Sequence, residues 1–218
     1  MNRATEPPET GAAGPPVLRA GDPSALEEAA AALAAGLVVA IPTDTVYGLA
    51  ARIDRPEGMA AIFAAKDRPP GLALPVLVGR WHQARQVASS WPRSASMLAA
   101  RFWPGALTVV VPVDPALGAH LGGNGTSVGL RRPRQKFVQA LCRRAGPLAT
   151  TSANRHGAPP CTTAAEVCAA FGDGGVALVV DGGTCDGQPS TVVDCTVSPP
   201  ACLREGAIAW PWIEASIR

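Results

Sequence analysis

The chain has 218 residues, 47% of them hydrophobic, which suffices to bury one sizeable core and suggests a single domain. Charged residues make up only 17% and the formal net charge is +2, so the field of the whole molecule is too weak for a polybasic binder of nucleic acid or membranes. Any anion site must be local.

Residues 1–16 are rich in Pro, Gly, Glu and Thr with little to bury, and read as a disordered leader, with folding expected from Val17 to residue 218. Ser24 with Glu27 three residues on predicts a capping box. Ala25–Ala35 is strongly helix-forming, and Gly36 stands where a helix C-terminal cap belongs. The apolar run over residues 37–42 predicts a buried strand. A helix follows over Gly58–Lys66, a strand over Leu74–Val78 and two helices between Trp81 and Phe102. Further strands are expected at Leu107–Val113, Ser127–Arg131, Leu148–Thr151, Val176–Asp181 and Thr191–Cys195. Helices fill Gln135–Ala145 and Thr163–Phe171, the latter opened by a Thr163/Glu166 capping box. Strands and helices alternate irregularly, which predicts an α/β fold with a large mixed sheet and flanking helices.

Cys142, Cys161, Cys168, Cys185, Cys195 and Cys202 form no CxxC pair, and His82, His120 and His156 are mutually remote, which argues against a zinc framework. Free, buried thiols in a reducing cytoplasm are the expectation. No signal core precedes the fold, and no run approaches the roughly 18 apolar residues of a membrane span.

Six segments carry candidate chemistry, and each has a plain structural alternative. Pro42–Ala50 (PTDTVYGLA) follows a strand, where open α/β sheets place ligand groups; the alternative is a turn in which Asp44 and Thr43 bond their own backbone. Lys66 and Arg68, bounded by Pro69 and Pro70, suit a polyphosphate, although a helix C-terminus attracts cations without any ligand. In Pro147–Gly157, hydroxyls and an amide crowd a strand end, either around a ligand or as a capped turn. Arg131 and Arg132 end a strand facing opposite ways, and Arg131 is the one expected to face a site shared with the other segments. The glycines of Asp181–Asp194 and of Leu203–Ile208 permit tight turns or close approach to a ligand. Neither a Walker loop nor GxGxxG is present.

In this order, PTDTVYGL, KDRP, FWPGALT, SVGLRRP, TSAN, PSTVVD and LREGAI resemble the YrdC-like family, the threonylcarbamoyl-AMP synthases, over about residues 20–208. The resemblance implies a twisted mixed sheet around a basic concave cavity, and a reaction of ATP, L-threonine and bicarbonate giving threonylcarbamoyl-AMP and pyrophosphate. It implies catalytic roles for Lys66, Arg68, Ser152 and Asn154. Nucleotide contacts fall on Lys66, Arg68, Ser127, Asn154, Thr162 and Arg204, and threonine contacts on Thr45, Arg131, Ser152 and Ser190. Mg²⁺ is expected with ATP, with no protein side chain assigned to it. A tRNA contact and a downstream tRNA threonylcarbamoyl transferase complex are the implied partners, with no membrane. The sequence departs from the family pattern at Leu72-Ala73, where a nucleotide contact is expected near position 72, and at Arg155-His156. Two readings compete. One is an RNA-binding or ribosome-associated factor, for which ten aromatics leave little to stack bases on. The other is the carbamoyl-transfer domain of hydrogenase maturation proteins, which are much longer.

Overall fold

The computed structural model describes residues 14–217 except 68, 70 and 156. Among them the strands run β1 (Val17–Arg19), β2 (Val39–Ile41), β3 (Gly48–Arg52), β4 (Val76–Leu77), β5 (Leu107–Pro112), β6 (Ser127–Arg131), β7 (Leu148–Ser152), β8 (Leu178–Asp181), β9 (Thr191–Asp194) and β10 (Ala201–Arg204). The helices are α1 (Ala25–Ala34), α2 (Pro56–Ala65), α3 (Trp81–Val87), α4 (Arg93–Phe102), α5 (Pro115–Leu121), α6 (Lys136–Ala145), α7 (Ala164–Phe171) and α8 (Trp210–Glu214).

All ten strands join one sheet in the order β1-β8-β2-β3-β7-β4-β6-β5-β9-β10. Four neighbouring pairs are parallel and five antiparallel, so the sheet is mixed. Both faces are covered. Val39, Ile41, Ala50, Leu148 and Val180 point toward α1 and α6, whereas Val38, Ala40, Leu49, Ala51 and Val179 belong to the opposite core with Met59, Ile62, Val167 and Phe171. A strand with cover on both sides has no polar face to display, which is why residues 38–41 read as one apolar run.

The helix signals were realised unevenly. Thr163 and Glu166 form the reciprocal capping box on α7. Ser24 does not cap α1: its own backbone is helical (φ −81°, ψ −22°), its side chain makes no cap bond, and Glu27 instead forks onto Arg144 of α6. Gly36 ends α1 at φ +78°, a conformation that favours glycine. Residues 1–13 lie outside the described residues. At the end of the expected leader, the Pro16 carbonyl accepts from Val179 N at 2.9 Å, so that residue already joins the sheet.

β3 was not foreseen, because Gly48–Arg52 is rich in Gly and Ala and lacks the β-branched residues that mark strands. It pairs with both β2 and β7, which shortens the PTDTVYGLA segment to a tight β2–β3 connection over residues 42–47.

Candidate functional site

Six of the seven adjacent strands from β3 across to β10, together with the residue that precedes the remaining one, β9, line one cavity of about 240 Å³. Its wall includes Gly48 (β3), Thr150, Thr151 and Ser152 (β7), Leu77 (β4), Arg131 (β6), Thr108 (β5), Ser190 just before β9, and Arg204 (β10). Thr43, Thr45, Val46 and Tyr47 of the β2–β3 connection close one side, with Pro75, Pro160 and Pro189 adding apolar surface. Five of the sequence-predicted residues, Thr45, Arg131, Ser152, Ser190 and Arg204, therefore meet in one place although they come from distant parts of the chain.

Arg131 is only 6% exposed and is held on three sides. Its Nε donates to the Gly105 carbonyl at 3.0 Å, one terminal nitrogen to Thr45 Oγ1 at 2.8 Å, and the other to Asp44 Oδ1 at 2.7 Å. Of the five guanidinium N–H groups, two remain for a ligand. Burial pulls the Arg131 pKa below its usual value, and the Asp44 carboxylate works against that shift. Arg132 points elsewhere, toward Gln139 Oε1.

Thr43 fixes the loop that carries Thr45. Its Oγ1 donates to the Val46 carbonyl at 2.7 Å and accepts from the backbone N–H groups of Thr45 and Val46. Thr43 Oγ1 also lies 2.9 Å from Thr45 Oγ1, joining the two hydroxyls. The Thr45 oxygen accepts from Arg131 and lies on the cavity wall.

Lys66 closes α2 and turns inward, only 3% exposed. Its ammonium donates to the Ser152 carbonyl and to Asn154 Oδ1 at 2.9 Å, and Ser152 Oγ donates to the same Asn154 oxygen at 2.6 Å. Asn154 Nδ2 in turn donates to the carbonyls of Arg155 and Ala158. Lys66, Ser152 and Asn154 form one connected unit at the end of β7, with Ser152 on the cavity wall.

Arg204 reaches from β10 to the Ser190 carbonyl, at 2.8 Å through one terminal nitrogen. Burial lowers its pKa, and no carboxylate stands within salt-bridge reach of it among the described residues. Its proximity also lowers the Arg131 pKa, so two guanidinium groups face the same space. Such a space suits an anion. Ser127 and Thr162 lie off this wall: Ser127 bonds Asn124 Oδ1, and Thr162 bonds Glu166. Arg68 and His156 lie outside the described residues.

Asp44, Thr108 and Tyr47 were not singled out as site residues from sequence. Asp44 read as a turn former, and its partner lies 87 positions away. Thr108 Oγ1 sits 2.9 Å from Ser190 Oγ. The Tyr47 hydroxyl donates to the Gly183 carbonyl at 2.9 Å and accepts from Gly182 N, tying the β8–β9 connection to the β2–β3 connection. All six cysteines are free thiols. Burial raises the pKa of Cys161 and Cys185 near the cavity, which keeps both protonated and unsuited to nucleophilic attack.

A family model described as "Telomere recombination" and covering Sua5, YciO and YrdC matches residues 31–206. A Mycobacterium tuberculosis protein provisionally named threonylcarbamoyl-AMP synthase is 40% identical over 182 residues, covering 83% of each chain. The Bacillus subtilis threonylcarbamoyl-AMP synthase is 39% identical over 203 residues, covering 92% of this chain and 58% of that one. The crystal structure of P. abyssi Sua5 complexed with L-threonine matches with a TM-score of 0.81 and 35% identity, covering 88% of this chain and 58% of that one. The chain thus spans a little over half the length of these last two relatives. With the family model matching most of its length and relatives well above 30% identity, the chain belongs to the Sua5/YciO/YrdC family.

Proposed function

We propose that this chain is a threonylcarbamoyl-AMP synthase, joining L-threonine, bicarbonate and ATP into threonylcarbamoyl-AMP with release of pyrophosphate. The observation that carries the reading is the single cavity in which Arg131, Arg204 and the hydroxyls of Thr45, Ser152 and Ser190 converge, in a chain 35% identical to a threonine-bound relative. That relative also favours this reading over an RNA-binding module.

In the proposed reaction the threonine amine adds to carbon dioxide derived from bicarbonate and loses a proton, giving an N-carboxylate. A carboxylate oxygen then attacks the α-phosphorus of ATP and the bond to the β-phosphate oxygen breaks, releasing pyrophosphate. No protein nucleophile is required, in keeping with protonated, buried thiols and the absence of a Ser–His pair among the described residues. The protein's part is positioning and neutralisation of charge on the leaving group. Arg131 would hold the threonine carboxylate, and the acceptor oxygens of Thr45 and Ser152 its amine or hydroxyl. Lys66, Arg68 and Asn154 would serve the phosphates and Arg204 the nucleotide; Ser127 and Thr162 would reach a nucleotide only where it extends beyond the cavity wall. Magnesium would enter as the ATP complex, coordinated by phosphates and water.

The product would pass to a tRNA threonylcarbamoyl transferase. No helix among the described residues is long and apolar enough to cross a membrane, and a cytoplasmic site of action accords with the free thiols. The test is pyrophosphate release by the purified protein with threonine and bicarbonate omitted in turn. Release should need both, and equal release without threonine would exclude the assignment.

A further inference from the structure

The segment Phe102–Thr108 is the one sequence motif without a part in the proposed chemistry. Its residues touch both halves of the amino-acid wall. The Gly105 carbonyl accepts from Arg131 Nε, Gly105 N donates to the Arg132 carbonyl, and the Ala106 carbonyl accepts from Thr191 N beside Ser190. Thr108 ends the segment on β5, is 4% exposed and lines the cavity.

Its rotamer is dictated by a neighbour. Gly129 on β6 leaves a gap into which the Thr108 methyl fits; a Cβ built on Gly129 would stand 2.9 Å from Thr108 Cγ2. With the methyl seated there, the hydroxyl turns to Ser190, 2.9 Å away and 7% exposed.

Proton accounting then separates Ser190 from Ser152 on the same wall. Ser152 has given its proton to Asn154 Oδ1, and the Thr45 hydroxyl is engaged with Thr43 and Arg131. Thr108 and Ser190 hold two protons between them; one bridges the pair and the other has no acceptor among the described residues. Arg204 sits 3.4 Å from Ser190 Oγ as a donor and cannot take it. When Thr108 supplies the bridging proton, the Ser190 proton points at the cavity.

We propose that Thr108 is a positioning residue for amino-acid recognition: by donating to Ser190 Oγ it frees the Ser190 hydroxyl to donate to an acceptor oxygen of bound threonine. This inference rests on the assignment of threonine to the cavity. A neutral donor beside Arg131 suits a carboxylate or hydroxyl oxygen of the amino acid and does nothing for a nucleotide bound elsewhere along the wall.

The experiment is calorimetric titration of L-threonine, and separately of Mg-ATP, into wild-type protein, Thr108→Val, Thr108→Ser and Ser190→Ala. Valine keeps the volume and the Gly129 contact and deletes the donor, so threonine should bind roughly five- to tenfold more weakly, with ATP affinity unchanged. Serine should restore most of the loss. Adding Thr108→Val to Ser190→Ala should weaken binding no further, because Thr108 acts through Ser190. Thr108→Ala provides a second donor-free variant should valine fold poorly, and must show the same threonine-specific loss. Wild-type threonine affinity in both donor-free variants would overturn the proposal, as would equal losses for threonine and ATP together with a lowered melting temperature, the mark of a merely structural residue. Failure of threonine to bind the wild-type protein would overturn the assignment of the cavity as well, whereas binding unaffected by Thr108 overturns this inference alone.

Discussion

Asp44 and Arg131 form an ion pair at 2.7 Å in which both side chains are largely buried, 16% and 7% exposed respectively. Asp44 does not line the main cavity; it stands behind Arg131. The pair therefore sets the orientation of the guanidinium and neutralises part of its charge before any ligand arrives. Asp44→Asn keeps an acceptor and removes the charge, and should destabilise the fold by about 1–3 kcal/mol while raising the KM for threonine more than that for ATP. Arg131→Lys should weaken threonine more severely, because a point charge cannot serve Gly105, Thr45 and Asp44 and still present a fork. Denaturant unfolding and substrate-resolved kinetics check both; equal effects on the two substrates would make the pair purely structural.

Lys66 separates stability from turnover in a second way. Its ammonium is engaged with the Ser152 carbonyl and Asn154, so a phosphate reaching it would add to an already organised unit. Lys66→Met fills a similar volume but leaves the Ser152 carbonyl and Asn154 Oδ1 without this donor, which should cost about 1–3 kcal/mol and leave the variant folded at assay temperature. Pyrophosphate release should nonetheless fall by roughly 10²–10³-fold as a preorganised cation is withdrawn from the leaving group. Lys66→Arg should not rescue it, since a site that leaves lysine 3% exposed has no room for a larger fork. Release near the wild-type rate from the folded variant would instead identify a structural lysine.

Tyr47 is fully buried, and burial pushes its phenol up to about 12. It therefore stays a protonated donor to the Gly183 carbonyl through the physiological range. Tyr47→Phe should cost about 1–3 kcal/mol by leaving Gly183 O and Gly182 N without this partner. The folded pKa lies above the unfolded value of about 10, so the tyrosine's contribution is complete below pH about 10 and fades as pH rises toward about 12. Urea unfolding of the two proteins at a series of pH values should show the gap between them constant near neutrality and narrowing above pH about 10. A gap that widens with pH would contradict the burial argument.

The elements legible in the sequence are those whose signals are local. The Thr163/Glu166 box, the Gly36 stop and the run at residues 38–41 each depend on a few neighbouring residues. β3 escaped because its Ala-rich strand is stabilised by two partners rather than by propensity, and Ser24 misled because Glu27 found a better partner in Arg144. The site divides in the same manner. Strand alternation told that only one of Arg131 and Arg132 could face the site, whereas the roles of Asp44 and Thr108 exist only through partners 87 and 82 positions away. No local pattern encodes those contacts.

Gly206 shows a motif glycine explained by close packing. It has no positive φ, so turn chemistry is not the reason for it. A Cβ there would stand 2.2 Å from the Pro189 carbonyl oxygen and 2.7 Å from the Ser190 carbonyl carbon, both backbone atoms that cannot swing aside. The segment is pinned in that position: Gly206 N donates to Thr191 Oγ1 at 3.0 Å, Ala207 N to the Pro189 carbonyl, and Gln188 Nε2 to the Gly206 carbonyl. One methyl group must therefore push the Pro189–Ser190 backbone toward the cavity or break the pinning bonds. Gly206→Ala should destabilise the fold by about 1–3 kcal/mol, in the range of overpacking. Because Ser190 moves while Lys66 and Asn154 do not, threonine affinity should fall further than ATP affinity. Gly21→Ala, where a Cβ meets nothing within 4 Å, is the control and should change neither. Parallel titrations of threonine and ATP, with melting curves for both variants, settle the matter: equal weakening of the two ligands in Gly206→Ala would mean the strain spreads through the sheet instead of resting on Ser190.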